Sequence, residues 1–299
     1  MASTDASVGG VPTPPSALAE LWQQMAPKIG WTIVSVGMFV LIWEFLWLVG
    51  LADPKLLPPP HIFMGDIAGQ AKNFNTAQRW QIGAGATDAP SPAMAVVITI
   101  LSTTYRVILG LLLAATVSIA VGVAIRYWQL MGNLTLPTIT LLAPVSPIAW
   151  LPVAIFLFGI GDAPAIFMVF IALFFTMTLA TITQIDSVNK NYINVARTMG
   201  ASKRQIYTRV VLPAILPGLL VVLRLNLFGA WMVVLIAEAT GVGYGLGQVI
   251  MLARNTFNPG LVFFTIVLIG LTGFMFDYGL RTLQSRILYW VPKGQGSLG

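Results

Sequence analysis

The chain has 299 residues, of which 57% are hydrophobic and 9% charged, with a net charge of +6 and no cysteine. Soluble domains carry about 25% charged residues, so this composition excludes a soluble enzyme, a disordered chain and a collagen-like one. The missing cysteines remove disulfides and thiolate metal sites. The single histidine, His61, leaves no material for a His-based zinc site or a Ser-His triad. The positive charge fits basic loops on the cytoplasmic side of a membrane, not a nucleic-acid partner.

Met1–Pro15 (MASTDASVGGVPTPP) is small, polar and rich in Pro and Gly, which predicts a disordered tail. Leu18, Leu21, Trp22 and Met25 repeat at helical spacing. They predict either a short amphipathic helix on the inner interface or a plain extension of the first span. A hydrocarbon core of roughly 30 Å takes about 20 apolar residues per helix. Six stretches qualify: Trp31–Gly50, Val96–Ile125, Leu134–Ile160, Ala163–Ile185, Leu212–Ala237 and Leu261–Phe276. The expectation is an all-α membrane protein of about six transmembrane helices. Residues 1–30 are a tail with its helix, 31–95 the first span and an outside segment, 96–290 the core, and 291–299 a cytoplasmic tail. The first apolar run starts late, is full length and lacks a basic region before it, so it reads as a span and not as a cleavable signal.

Leu57-Pro58-Pro59-Pro60 must be extended or loop-like, and His61 directly after it reads as a solvated loop residue. Pro137, Pro144, Pro147 and Pro152 kink or unwind the third stretch, and the backbone they free needs protein or water around it. With both ends inside, ten Lys and Arg fall on the cytoplasmic side and four outside, which places both termini in the cytoplasm.

Four intramembrane charges stand out. Arg224 lies near the midplane, where an ionisable group costs about 2.5–3.5 kcal/mol on insertion scales. Three roles are open to it: pairing with Glu44 at similar depth, bonding carbonyls freed by Pro144 and Pro147, or attracting an anion in transit. Counting also puts Arg106 and Glu238 together near the outer edge. Thr140, Ser146, Thr176, Thr178, Thr181 and Thr183 supply hydroxyls. These line a polar path, with Ser146 and Thr176 as candidates, or bond between helices.

The loop between the fourth and fifth stretches, residues 189–213, is long and patterned. It predicts two short helices. Ile193, Ala196 and Met199 share one face of the first, Gly200 caps it in the left-handed conformation, and Ser202 with Gln205 forms a capping box for the second. Ile206 and Val210 give that second helix an apolar edge. Such an elbow, flanked by Lys and Arg, suits a groove on a partner. The alternative is a basic inner loop that only fixes orientation. Gly241, Gly243, Gly245 and Gly247 follow an apolar span with no strand before them, which points to an outer turn or close helix packing and not to a nucleotide loop.

The elbow resembles the cytoplasmic loop of ABC-importer permease subunits, whose pattern is E-A-A, three residues, Gly, nine residues, then I-x-L-P. Here the pattern reads Asn194, Val195, Ala196, Gly200, Val210, Leu212 and Pro213; the usual Glu is Asn194 and the next Ala is Val195. Further resemblance runs through Leu57-Pro58-Pro59-Pro60, Thr104-Tyr105-Arg106 to Gly110, Pro147 to Pro152 with Phe158 to Asp162, and Ala237-Glu238 with Gly245-Leu246-Gly247. It points to the nitrate/sulfonate/taurine/bicarbonate branch. The ending Leu288 to Pro292 is most similar to cyanobacterial nitrate/nitrite permeases.

The resemblance implies a type I importer permease core of the MetI-like kind in a bacterial inner membrane. Its coupling residues would be Asn194, Val195, Ala196, Arg197, Met199, Gly200, Ala201, Leu212 and Pro213. It also implies two ATPase subunits carrying ATP and Mg, a second permease copy, an external binding protein, and no cofactor in this chain. No G-x-x-x-x-G-K-[ST] run is present, so the chain supplies no phosphate-binding loop of its own. An ion-coupled carrier is the competing class, and it has no use for the patterned loop.

Overall fold

In a computed structural model, residues 17–51, 53–76 and 91–289 are described. The expected tails at 1–15 and 291–299 lie outside them. The chain divides into two compact units, residues 1–62 and 63–299.

In the first unit, helix α1 (Ala17–Leu48) is continuous. Residues 17–30 therefore prolong the first span and do not form a separate helix. The end of α1 is a Schellman turn: Leu51 N–H donates to Leu46 and Gly50 N–H to Trp47, with Gly50 at φ +77°. Asp53 then caps a turn by accepting from Lys55 N–H at 2.9 Å. His61 is not simply solvated. Its backbone N–H and its Nδ1 both bond the Glu44 carboxylate, at 3.1 and 2.8 Å. That carboxylate satisfies one of the free N–H groups at the start of α2 (Pro60–Gly65), whose first position is a proline with no N–H to satisfy.

The second unit holds the core. After α3 (Ile67–Lys72), helix α4 runs from Pro92 to Tyr127, capped by Ser91. Helices α5 (Gln129–Leu142) and α6 (Leu151–Phe158) follow, then α7 (Asp162–Asp186). The elbow is α8 (Lys190–Thr198) and α9 (Lys203–Ile206). A five-residue π turn, Tyr207–Val211, leads into α10 (Leu212–Ala237). A second π turn, Glu238–Val242, precedes α11 (Leu246–Asn255), and α12 (Pro259–Ile287) closes the described chain.

Among the described residues, five helices are long and apolar enough to cross a membrane, or six if a bent pair counts as one. That pair is the third stretch, broken by 105° between Gln129–Leu142 and Pro147–Phe158. Pro144 and Pro147 sit at the break and cannot donate helical hydrogen bonds. Pro137 stays inside α5.

The core is α4 packed on α7, with α10 packed against both. Small residues let α4 approach. A Cβ at Gly110 would lie 2.5 Å from Val169 Cβ, and one at Gly122 would lie 2.8 Å from Thr181 Cβ. Between them Ala114 and Ser118 are fully buried, and Ser118 donates across the interface to Phe174 carbonyl at 3.0 Å. Lipid tails provide no hydrophobic drive between helices, so such four-residue spacing of small side chains stabilises by close dispersion contact.

Candidate functional site

The elbow folds by local chemistry. Asn189 caps α8 by accepting from Asn191 N–H at 2.9 Å. Gly200 ends it at φ +78°, with Ala201 N–H donating to Ala196 and Gly200 N–H to Arg197. The capping box that opens α9 is complete: Gln205 N–H donates to Ser202 Oγ, and Ser202 N–H to Gln205 Oε1 at 2.8 Å.

The elbow packs on the chain's own core through Ile193, Ala196, Ala201 and Ile206. These surround Val211, Ile215 and Leu219. Two sequence expectations need correction here. Met199 does not share the inward face of Ile193 and Ala196; it is 82% exposed, and Tyr192 and Val195 join it outside. Val211, not Val210, continues the buried edge begun by Ile206. The π turn adds one residue, so the inward position recurs five residues on. The outer surface therefore carries Tyr192, Val195 and Met199 among the exposed Lys190, Arg197, Lys203, Arg204 and Arg209. Asn194 and Leu212 are exposed as well, and Pro213 lies in the first turn of α10.

Arg106 and Glu238 meet as counting suggested, both fully buried. The guanidinium also bonds Asp162, Nε to Oδ1 at 2.8 Å, and lies 4.1 Å over the Tyr244 ring. Glu238 accepts from Thr103 Oγ1 at 3.1 Å and from Gly247 N–H at 3.0 Å, in the first turn of α11. The Tyr244 hydroxyl donates to Asp162. Burial pushes the Tyr244 phenol up, and its donation to Asp162 pushes it further. One cluster thus ties α4, α7, α10 and α11, with a hydrogen bond for each carboxylate and a charge partner for the arginine.

The Gly241–Gly247 run serves that cluster. Gly243 and Gly245 take φ +81° and +123°, and a Cβ at Gly245 would run into the Glu238 carboxylate. Close packing is the reading the geometry supports.

Of the three roles open to Arg224, pairing is the one observed, with a carboxylate that the sequence reading did not weigh. Arg224 Nε bonds Asp277 Oδ1 at 2.6 Å, and Glu44 is held by His61. Arg281, one turn beyond Asp277, bonds its other oxygen at 2.7 Å. The sequence reading ended the last span at Phe276 because a charge follows. Asp277 is instead buried and paired, and α12 continues to Ile287. Thr176 is exposed on α7, donating to its own helix at Leu173 and facing Asn226 of α10 at 3.4 Å. Ser146 is exposed at the break before Pro147 and caps nothing through its side chain. Asp162, Asp277, Tyr244, Thr103 and Asn226 are the residues the sequence reading did not single out for these roles. Among the described residues no group of three His, Asp or Glu side chains is arranged to hold a metal ion.

Residues 107–289 match the family model described as "Binding-protein-dependent transport system inner membrane component". A putative ABC transporter permease protein of Methanocaldococcus jannaschii is 37% identical over 186 residues, 62% of this chain and 70% of that one. The taurine transport system permease protein TauC of Escherichia coli is 28% identical over 270 residues, covering 89% and 91%. The nitrate import permease protein NrtB of Leptolyngbya laminosa is 30% identical over 183 residues, covering 61% and 66%. The backbone is similar to an inward-facing MetNI methionine ABC transporter, with TM-score 0.52 and 21% identity over 64% of this chain and 98% of that one.

Proposed function

This chain belongs to the binding-protein-dependent transport system inner membrane components, and within that family we propose that it forms the path of an importer for a small inorganic anion, nitrate or nitrite before bicarbonate. It is a multi-pass inner-membrane permease subunit of an ABC transporter. It is not itself catalytic, and separate ATPase subunits hydrolyse ATP. Among relatives, both nitrate and taurine permeases occur at similar identity. The nitrate reading draws on the ending Leu288 to Pro292, and the longer alignment to the taurine permease favours a sulfonate as the second reading.

The observation that carries the coupling role is the elbow's outer face. It offers three apolar side chains ringed by basic ones, on a short helix braced against α10. The ATPase subunits, with ATP and Mg, grip this face at Asn194, Val195, Arg197 and Met199. Ala196, Gly200, Ala201, Leu212 and Pro213 hold its shape. Closure of the ATPase pair then moves the elbow as a rigid body and turns the bundle between inward and outward openings, which requires two discrete packings. The assembly contains two permease copies and an external binding protein that docks beside the Gly241–Gly247 turn. Both termini lie in the cytoplasm. The chain holds no cofactor of its own.

The test is reconstitution of the permease with its ATPase subunits and binding protein in vesicles. Nitrate-loaded binding protein should raise ATP hydrolysis, and Gly200→Pro should abolish that stimulation while the chain still inserts. Stimulation by taurine and not by nitrate would move the substrate to the second reading. Unchanged stimulation in Gly200→Pro would remove the elbow from the mechanism.

A further inference from the structure

From Pro164 to Ile185 helix α7 presents two exposed residues, Thr176 and Thr183. They lie seven positions apart, so they share a face about 10 Å long. Elsewhere the exposed positions are mostly large and apolar, Leu101, Ile108, Leu112 and Leu113 on α4 with Thr116 among them, and Leu225 and Met232 on α10. A helix that faces lipid carries such side chains. One whose only open positions are hydroxyls, at the middle of a span, has a different neighbour.

The adjoining edge of α10 extends the same pattern. Asn226, near the middle of that helix, faces Thr176 at 3.4 Å and donates through Nδ2 to Val222 carbonyl at 2.9 Å, which leaves its second amide hydrogen. Eight residues along each antiparallel helix, the Gln184 amide lies across Gly218, 2.0 Å from where a Cβ would stand. The charge that sequence placed nearest, Arg224, is turned away to Asp277.

We propose that the seam between α7 and α10 is the lane by which the anion crosses the middle of the bilayer, passing Asn226 and Thr176 and then Thr183 and Gln184. The anionic nature of the cargo rests on the function proposed above; the polarity of the seam does not. Hydroxyl and amide donors replace part of the hydration shell of an oxyanion. A fixed cation at this depth would bind it too tightly to let it leave, whereas neutral donors permit entry and exit. Both threonine hydroxyls donate to carbonyls of their own helix, at 3.0 Å each. They can turn outward as the anion passes.

The absence of cysteine makes the test direct. Thr176→Cys, Thr183→Cys and Asn226→Cys, with Leu112→Cys as an equally open apolar control, are made in the full chain assembled with its ATPase subunits. They are treated with the anionic reagent 2-sulfonatoethyl methanethiosulfonate. Only a hydrated thiolate reacts, and one unit of thiol pKa alone is a factor of about ten in rate. All three seam thiols should react at least about tenfold faster than the control. Asn226→Leu should lower nitrate uptake about tenfold, the size of one hydrogen bond to a charged group. Seam thiols no faster than Leu112→Cys, in an assembled complex, overturn the lane and leave the permease assignment intact. Failure of the unmodified chain to hold its ATPase subunits would instead strike the coupling role and not the seam.

Discussion

Arg106 and Glu238 stand 132 positions apart in the chain, and their side chains meet with no solvent exposure on either. Burying two charges is costly, and removing one partner strands the other, which costs about 3–5 kcal/mol. Glu238→Ala should therefore lower the thermal unfolding midpoint of the detergent-solubilised chain sharply. Gly245→Ala should do so too, because its Cβ would enter the space of the Glu238 carboxylate at a φ of +123°. Unchanged melting in both would mean that the cluster does not hold these helices together.

Tyr244 gives that cluster a pH dependence of definite sign. Its phenol is raised, so the neutral, donating form is favoured in the folded chain. The stabilisation it brings is fully present below the ordinary phenol value of about 10 and fades as pH rises through the raised value. The melting difference between the unmodified chain and Tyr244→Phe should stay level from about pH 6 to about pH 9 and shrink only beyond. A difference that shrinks below neutral pH would contradict the assignment.

Arg224 and Asp277 should behave as a coupled pair. The double substitution Arg224→Leu with Asp277→Leu should cost less than the two single ones together, with a coupling of about 0.5–3 kcal/mol. Arg281 also bonds Asp277 but is more exposed, so Arg281→Leu should have the smaller effect. Additive costs in unfolding experiments would remove the pair from the packing of α10 on α12.

On the elbow, substitution should separate docking from folding. Val195→Asp and Met199→Asp alter exposed side chains and should leave melting unchanged. Each should weaken capture of the ATPase subunits by about 2 kcal/mol or more, the size of an interface anchor. Ile193→Asp points into the chain's own core and should destabilise the elbow itself. Equal binding by all three variants would show that the partner grips elsewhere.

The elbow was legible in the sequence because its determinants are local. A cap, a glycine that must take positive φ and a capping box each act within a few residues. The pair of Arg106 and Glu238 was legible by depth, since both fall near one edge of their spans. The partner of Arg224 was hidden for a physical reason. A carboxylate was read as the end of a helix, but Asp277 is neutralised from two sides and the helix runs through it. Val210 was chosen over Val211 because a regular helical period carries no sign of an inserted residue. The close approach of α4 to α7 left its trace in Gly110, Ala114, Ser118 and Gly122, a spacing that apolar-run counting passes over.

The five-residue turn at Tyr207–Val211 acts as a spacer in angle. Each residue of an α-helix advances the chain by about 100°, so deleting one residue here would keep Ile206 in register with the next inward position, whereas drawing all five residues into a regular helix would swing the elbow around the axis of α10 by that amount. Tyr192, Val195 and Met199 would then face a different compass point, while every local cap stayed whole. A single-codon deletion at this turn would thus leave the handle aimed as before, and it is tightening of the intact turn that would aim it the wrong way.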